Sequence, residues 1–576
     1  MTAPNINYFV AQMIIDRLCA LGLRQMAISP GSRSAPLAVA ASTHPALASR
    51  MIIDERTAAY YALGTAQATG SPAGVICTSG TAVANLFPAV VEAYQSRLPL
   101  VLLTADRPEE LQNRGANQTI DQQGIFGRYA TSVTIAAPDR STDPVTILEQ
   151  LNRAMMNVPD GPVHINMRFR EPLAPVEEPY DREAMSKAVA AWLNTHDHET
   201  APLSVDDLAR LADDIIPLIR RSRSGLIVAG PEAPFRAGDG IGSLAERLGW
   251  PMAGDILSQQ RGRRGGNRCT AYDLYLDAPE FGEQTPCDLL LHFGGLPTSK
   301  RLNEFLVRLK GIPYIKIQDH GRTIDPERLE TGRIVAPVGR FLAAVGDQIE
   351  SRGEGEHLLS WRHREKQAAE ALAGYFADDR LTEPAVAYHL GRWLDEGEAV
   401  FLSNSLPVRE AESFMDFEGR EIMVGCNRGA SGIDGVLASA CGFAAGSGRS
   451  TTLLIGDLAL LHDLNSLVIA AESAPPVTIV VLNNGGGGIF DFLPIARFPE
   501  LLERCFTAGH RLTFDSAARM VGLPYHRPAS TAELAAAYRS ARETGQSSLI
   551  EISLDHSDTV GEQERIRTRV HTAMKG

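Results

Sequence analysis

Residues 451–490 read TTLLIGDLALLHDLNSLVIAAESAPPVTIVVLNNGGGGIF. Two aliphatic, β-branched runs, TTLLI and VTIVVL, end in polar turn residues, Gly456-Asp457 and Asn483-Asn484, with a helix-length stretch between them. This βαβ pattern predicts parallel strands whose carboxyl ends lie side by side. Asp457 and Asn484, 27 positions apart, then surface on neighbouring loops. A carboxylate and a side-chain amide placed there suit a hard cation. Mg²⁺ takes few protein oxygens and completes its shell from phosphate and water. The pattern predicts Asp457 and Asn484 as metal ligands, with the backbone carbonyl of Gly486 as a third, because glycine lets the main chain approach an ion. Asp and Asn are also ordinary strand-end turn residues, so the pair alone leaves the plain structural reading open.

The same alternation recurs on both sides of this stretch. Upstream of about residue 170, MAISPGS, GVICTSGT, LPLVLLTADRP and PVHINMRF each read as a strand running into a loop, separated by Ala-rich helical stretches. A polar, Pro-bearing connection comes next, from LAPVEEPYDRE to NTHDHETAPLS. A second block carries RSGLIVAGP, DLLLHFGGLP and IPYIKIQDHG and fades at ESRGEGEH; a third adds AVFLSNS and SSLIEISLD. The expected fold is α/β, with three tandem domains built on parallel sheets: residues 1–190, 191–355 and 356–576. Ligands of open parallel sheets collect at the carboxyl ends of strands, so the loops after these runs are where chemistry is expected.

Composition narrows the class. Hydrophobic residues at 44% and charged residues at 22% exclude a disordered or fibrous chain. A net charge of −14 disfavours nucleic acid or an anionic membrane as partner, so any anionic ligand needs a local cluster of cations. The seven cysteines are scattered, with no C-x-x-C pair, which points to a reducing compartment and away from disulfides or zinc. The N-terminus MTAPNINYFV lacks a basic then apolar leader, and the most apolar run is broken by Asp457 and Asp463. A cytoplasmic chain without a membrane span is expected. The basic run 258–269, SQQRGRRGGNRC, could form an anion or effector site through Arg261, Arg263, Arg264 and Arg268, but a solvated, mobile loop is the favoured reading.

Two further segments join the first. Asp54-Glu55-Arg56 opens the helical stretch TAAYYALGTAQAT, and residues 427–446, NRGASGIDGVLASACGFAAG, form a small-residue loop running into an Ala-rich helix. Such a loop offers backbone amides and a helix N-terminus to a diphosphate. Together, the Glu55 segment, the loop and the GD…NN pair resemble the thiamine diphosphate-dependent enzymes in the family's own order: pyrimidine-binding, middle and diphosphate-binding domain. Leu458 departs from the small residue common at its position. The resemblance implies thiamine diphosphate with Mg²⁺ or Mn²⁺. It implies that Glu55 hydrogen-bonds N1′ of the aminopyrimidine as the catalytic acid–base group, and that Ile433 supports the bent cofactor. It implies as well that Gly429, Ser431, Gly456, Asn483 and Ile489 line the cofactor. It further implies self-association, with active sites at the subunit interface.

The segments SPGSRS, TADRP and GANQ more narrowly resemble the 2-succinyl-5-enolpyruvyl-6-hydroxy-3-cyclohexene-1-carboxylate synthases. The substrates that this implies, 2-oxoglutarate and isochorismate, carry two carboxylates each, a load suited to several guanidinium groups. The matching positions are Arg33, Arg107, Lys300, Arg409 and Arg428, with Ser32, Asn117, Gln118 and Ser405 as neutral partners. The resemblance further implies that Phe490 and Leu493, with Ile489, form an apolar wall against water. No catalytic histidine is assigned, since no HH pair occurs. Alternatives from the residues alone are another thiamine diphosphate-dependent 2-oxo acid decarboxylase or ligase, or a non-catalytic binding protein that keeps the fold. Acetohydroxyacid synthase-like chemistry would need FAD contacts, for which the middle domain shows no persuasive set.

Overall fold

The computed structural model describes residues 3–196, 215–238, 240–278, 281, 286–346, 348–555 and 558–575. The latter part of the expected first interdomain connection, residues 197–204, lies outside them. The chain divides into two compact units. One comprises Met1–Pro202, Asn427–Gly448 and Leu461–Pro475; the other comprises Leu203–Cys426, Arg449–Leu460 and Pro476–Gly576.

The first unit holds a six-stranded sheet of β1 (Gln25–Ile28), β2 (Ala48–Met51), β3 (Ala73–Cys77), β4 (Leu100–Asp106), β5 (Thr131–Ile135) and β6 (Val163–Arg168), in spatial order β2-β1-β3-β4-β6-β5. Every pairing is parallel. Both faces of β3 and β4 are buried, which is why they read as unbroken apolar runs. The helix Glu55–Thr69 packs against the helix Val436–Ser447 at backbone contact distance. A Cβ on Gly64 would lie 2.0 Å from the Ser439 carbonyl oxygen, and one on Gly442 would lie 1.9 Å from that of Tyr61. Small residues are therefore obligatory on this seam. Thr65 Oγ1 donates across it to the Gly442 carbonyl at 3.1 Å.

The second unit holds two sheets. One runs β12-β11-β10-β7-β8-β9, from β7 (Gly225–Ala229), β8 (Met252–Gly254), β9 (Arg268–Cys269), β10 (Leu289–Phe293), β11 (Tyr314–Gln318) and β12 (Gly332–Val335). The other runs β14-β13-β15-β16-β18-β17, from β13 (Ala399–Leu402), β14 (Met423–Cys426), β15 (Thr451–Gly456), β16 (Val477–Asn483), β17 (Tyr525–His526) and β18 (Ser548–Ser553). Its strand order repeats that of the first unit's sheet. In both, the chain reverses direction across the sheet between the first and third strands, and a crevice at the carboxyl ends is expected at that point.

The basic run 258–269 is solvated only in part: Arg264 is exposed, whereas Arg261 and Arg268 are held by the protein. Arg261 is 1% exposed and pairs with Glu412 at 3.0 Å; its Nε donates to the Gly254 carbonyl at 2.9 Å and its Nη1 to that of Met415 at 3.0 Å. Arg268 lies half-buried in β9, and its guanidinium donates to the Arg261 carbonyl. A buried carboxylate and main-chain carbonyls replace water around these cations, a pairing between distant segments that charge content cannot signal.

Candidate active site

In the first unit, the reversal point carries the loops after β1 and β3. Gly31 in SPGSRS sits where a Cβ would lie 2.3 Å from that of Thr78, so the two loops touch. Arg33 is buried, donates to the Phe169 carbonyl at 3.0 Å and pairs with Glu171 at 3.2 Å. Arg107, after β4, donates to Ser79 Oγ, which itself donates to the Gln118 carbonyl at 3.0 Å. Gln118 takes a left-handed backbone (φ 55°) and returns its side-chain N–H to the Ser79 carbonyl at 2.9 Å. Arg33, Arg107 and Gln118 are thereby gathered around strand ends. Burial and then the charge of Arg33 push the Arg107 guanidinium below its ordinary range, against the pull of Asp106 and Glu171. Ser32 and Asn117 are exposed beside them in sequence.

Sequence reading missed the residues that hold this cluster. Gln122 is buried; its Oε1 accepts the Gly80 N–H at 3.0 Å and its Nε2 donates to Asn166 Oδ1 at 2.9 Å. Asp106 accepts the Arg107 N–H at 2.7 Å and the Asn166 amide at 3.0 Å. The TADRP and GANQTIDQQ segments contained both, but without a pattern that singles them out.

Glu55 occupies the first turn of the helix Glu55–Thr69, whose N-cap Asp54 accepts the Thr57 N–H at 2.8 Å. Asn85 Nδ2 donates to Glu55 Oε2 at 3.3 Å, a partner not foreseen. Met51 and Ile53, next to it in sequence, are 60% and 76% exposed.

In the loop 428–434, two amides already have an acceptor: Gly429 N–H and Ala430 N–H donate to the buried Glu92 carboxylate at 2.7 and 2.6 Å, and Ala438 N–H, in the helix after the loop, donates to Asp463 at 3.0 Å. A carboxylate competes for the same donors as a phosphate does, and both acids are fixed by their own folds. Ser431 holds φ 62°, and Ile433 and Arg428 are half-buried.

In the second unit, the register Gly456↔Leu482 between β15 and β16 sets Asp457 beside the two asparagines. Asp457 is 2% exposed. Its Oδ1 accepts the Leu458 N–H at 2.6 Å, and its Oδ2 accepts those of Gly485 and Gly486 at 2.8 and 3.0 Å. His510 Nε2 lies 3.2 Å from the same oxygen. Burial pushes the Asp457 carboxyl up, against the pull of these donors. Asn484 Oδ1 lies 3.3 Å from the Gly486 N–H that Asp457 Oδ2 also accepts, so one polarised hydrogen sits between the two expected ligand oxygens. A hard cation fits this donor set of a carboxylate, an amide oxygen and main chain. Gly486 (φ 154°) leaves no room for a side chain, since a Cβ would lie 2.5 Å from the Thr507 carbonyl oxygen. Among the described residues no cluster of three or more His, Cys, Asp or Glu could hold a metal. Asn483 Nδ2 donates to the buried Glu551 at 2.6 Å. Gly456 faces open space.

Ser405 (φ 72°) caps the helix Leu406–Phe414 after β13, and Arg409 donates back to its carbonyl. Phe490 packs on Phe506, with ring centres 5.4 Å apart; Ile489 is half-buried, and Leu493 is 45% exposed, an open part of the expected wall. Lys300 is solvated, 3.6 Å from Glu304 one turn along its own helix, whereas its neighbour Arg301 is held by Asp273 and Asp277 at 3.1 Å each.

Three family models match in sequence: the thiamine pyrophosphate enzyme N-terminal binding domain over residues 9–125, the middle domain of thiamine pyrophosphate enzymes over 183–402 and the C-terminal binding domain over 409–552. The chain is 40% identical to the 2-succinyl-5-enolpyruvyl-6-hydroxy-3-cyclohexene-1-carboxylate synthase of Rubrobacter xylanophilus, over 97% of each chain. It belongs to that synthase family. The synthase of Salinibacter ruber is 38% identical, covering 100% of this chain and 98% of its own. A solved benzoylformate decarboxylase from Polynucleobacter necessarius matches with a TM-score of 0.69 at 17% identity, over 95% of this chain and 99% of its own, and so shares the fold.

Proposed function

We propose that this thiamine diphosphate-dependent transferase decarboxylates 2-oxoglutarate and adds the remaining four-carbon unit 1,4 to isochorismate, releasing CO2 and 2-succinyl-5-enolpyruvyl-6-hydroxy-3-cyclohexene-1-carboxylate, a step of menaquinone biosynthesis. The observation that carries the reading is the convergence of Asp457 Oδ2 and Asn484 Oδ1 on one N–H, in a chain matched end to end by this synthase family. When bound, thiamine diphosphate supplies the electron sink for decarboxylation. Asp457, Asn484 and the Gly486 carbonyl hold Mg²⁺ or Mn²⁺, and Gly456, Asn483, Ile489, Gly429, Ser431 and Ile433 line the cofactor.

Glu55 holds and releases the proton at the aminopyrimidine nitrogen. Arg33 and Arg107, with Ser32, Asn117 and Gln118, bind substrate carboxylates, as do Ser405, Arg409, Arg428 and Lys300. Phe490 and Leu493 exclude water from the reacting carbon. The regions 1–190, 191–355 and 356–576 act as pyrimidine-binding, middle and diphosphate-binding domains, and self-association completes the active sites at the subunit interface. Seven free thiols fit the reducing cytoplasm. Among the described residues no helix is long and apolar enough to cross a membrane.

The test is CO2 release from 2-oxoglutarate with thiamine diphosphate and Mg²⁺, with and without isochorismate, alongside mass spectrometry of the product. An isochorismate-dependent adduct is expected. CO2 release without an adduct would replace the synthase with a decarboxylase.

A further inference from the structure

Asn484 is held from behind by a residue that belongs to none of the motifs of the site. Its Nδ2 donates to Glu383 Oε1 at 2.8 Å, and both side chains are buried, at 9% and 3% exposure. Glu383 is the first residue of the helix Glu383–Trp393, where Thr382 caps the N-terminus by accepting the Ala385 N–H. A helix N-terminus favours a negative charge, and so favours a carboxylate at this place. A carboxylate only accepts hydrogen bonds, whereas the two ends of an asparagine amide differ: one donates, the other accepts. The bond to Glu383 therefore decides which end faces away from it, and that end is Oδ1, turned to the Gly486 N–H shared with Asp457 Oδ2. Glycine at 488 leaves room for the amide in this orientation, since a Cβ there would lie 2.8 Å from Asn484 Nδ2.

From this geometry we infer that Glu383 is the positioning residue of the cation site: it holds the Asn484 amide with its oxygen, not its NH2, presented to the metal. The inference rests on the reading of Asp457 and Asn484 as metal ligands. Without the acceptor-only partner, the amide can rotate by half a turn and present two hydrogens to the cation.

The experiment measures Mn²⁺ affinity of the full chain by electron paramagnetic resonance of the free ion, with thiamine diphosphate present and no substrate. Glu383→Gln keeps size and burial but offers both a donor and an acceptor. It is expected to weaken Mn²⁺ binding about 10- to 100-fold, the usual cost of losing a partner that orients a ligand. In an Asn484→Ala background the same change is expected to do nothing further. Glu383→Asp, which keeps the charge but loses reach, serves as the second variant and is expected to weaken binding as well.

Unchanged affinity in a folded Glu383→Gln or Glu383→Asp protein overturns the inference, and so does a loss that persists in the Asn484→Ala background. Asp457→Ala separates the two levels. If it abolishes Mn²⁺ binding while the Glu383 variants bind normally, the ligand assignment stands and the positioning role falls. If it too binds normally, the ligand assignment itself is wrong.

Discussion

Glu55 has two surroundings that matter, a first-turn position and the Asn85 amide, and neither is a cation. Glu55→Gln keeps a hydrogen-bonding end at the same place but cannot exchange a proton. Thiamine diphosphate binding by calorimetry is expected to hold within a few-fold while turnover falls by about 10² or more, the usual weight of a general acid–base group. Equal turnover in the variant would remove Glu55 from the chemistry. Arg107 poses a different question. Its guanidinium donates to Ser79 Oγ and is already crowded by Arg33. Arg107→Ala should therefore raise the KM for 2-oxoglutarate or isochorismate about tenfold or more, as expected for a lost charge-assisted pair, with little change in Tm. A Tm drop with unchanged KM would make it a structural residue.

The helix Leu406–Phe414 shows how an element is placed by residues that do no chemistry. Ser405 and Arg409 lie at its start, while near its end the buried Glu412 accepts from Arg261, from the Tyr272 hydroxyl and, at 2.7 Å, from the Ile256 N–H. Removing one member of a buried ion pair strands the other, at a cost of about 3–5 kcal/mol, whereas replacing both with apolar groups is far milder. Arg261→Met is thus expected to lower the urea midpoint sharply, and Arg261→Met with Glu412→Leu to recover most of it; a double variant as unstable as the single would refute the pairing. The sequence run that carries Arg261 looks solvated because its partners lie about 150 positions away, at Ala411, Met415 and Glu412. Strands show the same limit. The central strands β4 and β16, flanked on both sides, are buried throughout and legible as apolar runs. The edge strands β2, β5, β12, β14 and β17 are short, partly exposed or polar, and β9 has two residues, so no periodicity announces them. Asp457 and Asn484 were legible because a parallel register fixes the place of residues just past a strand end; Glu383, Glu92 and Gln122 were not, because their contacts are set by packing alone.

At the scale of the whole molecule, stability must depend on pH through groups that folding keeps from titrating. His164 on β6 is the clearest. It is fully buried, its Nε2 meets Thr104 Oγ1 at 2.7 Å, its ring stands edge-on to Phe126 at 4.8 Å, and burial pulls it down to about 4 from an ordinary 6.5. A depressed folded value means the unfolded chain takes up the proton first. The contribution of His164 is therefore intact above pH 6.5 and is lost as pH falls towards 4, reaching about 3 kcal/mol. His292, His357 and His389, in the other unit, are shifted the same way by burial, so the whole chain should weaken across this window. His164→Gln offers Thr104 a partner of similar size that does not titrate. Its urea midpoint should start lower than that of the parent at pH 7.5, through imperfect packing, but fall less between pH 6.5 and 4.5, so that the two curves converge. Parallel curves would show that the buried imidazole takes up its proton in the folded protein as readily as in the unfolded one.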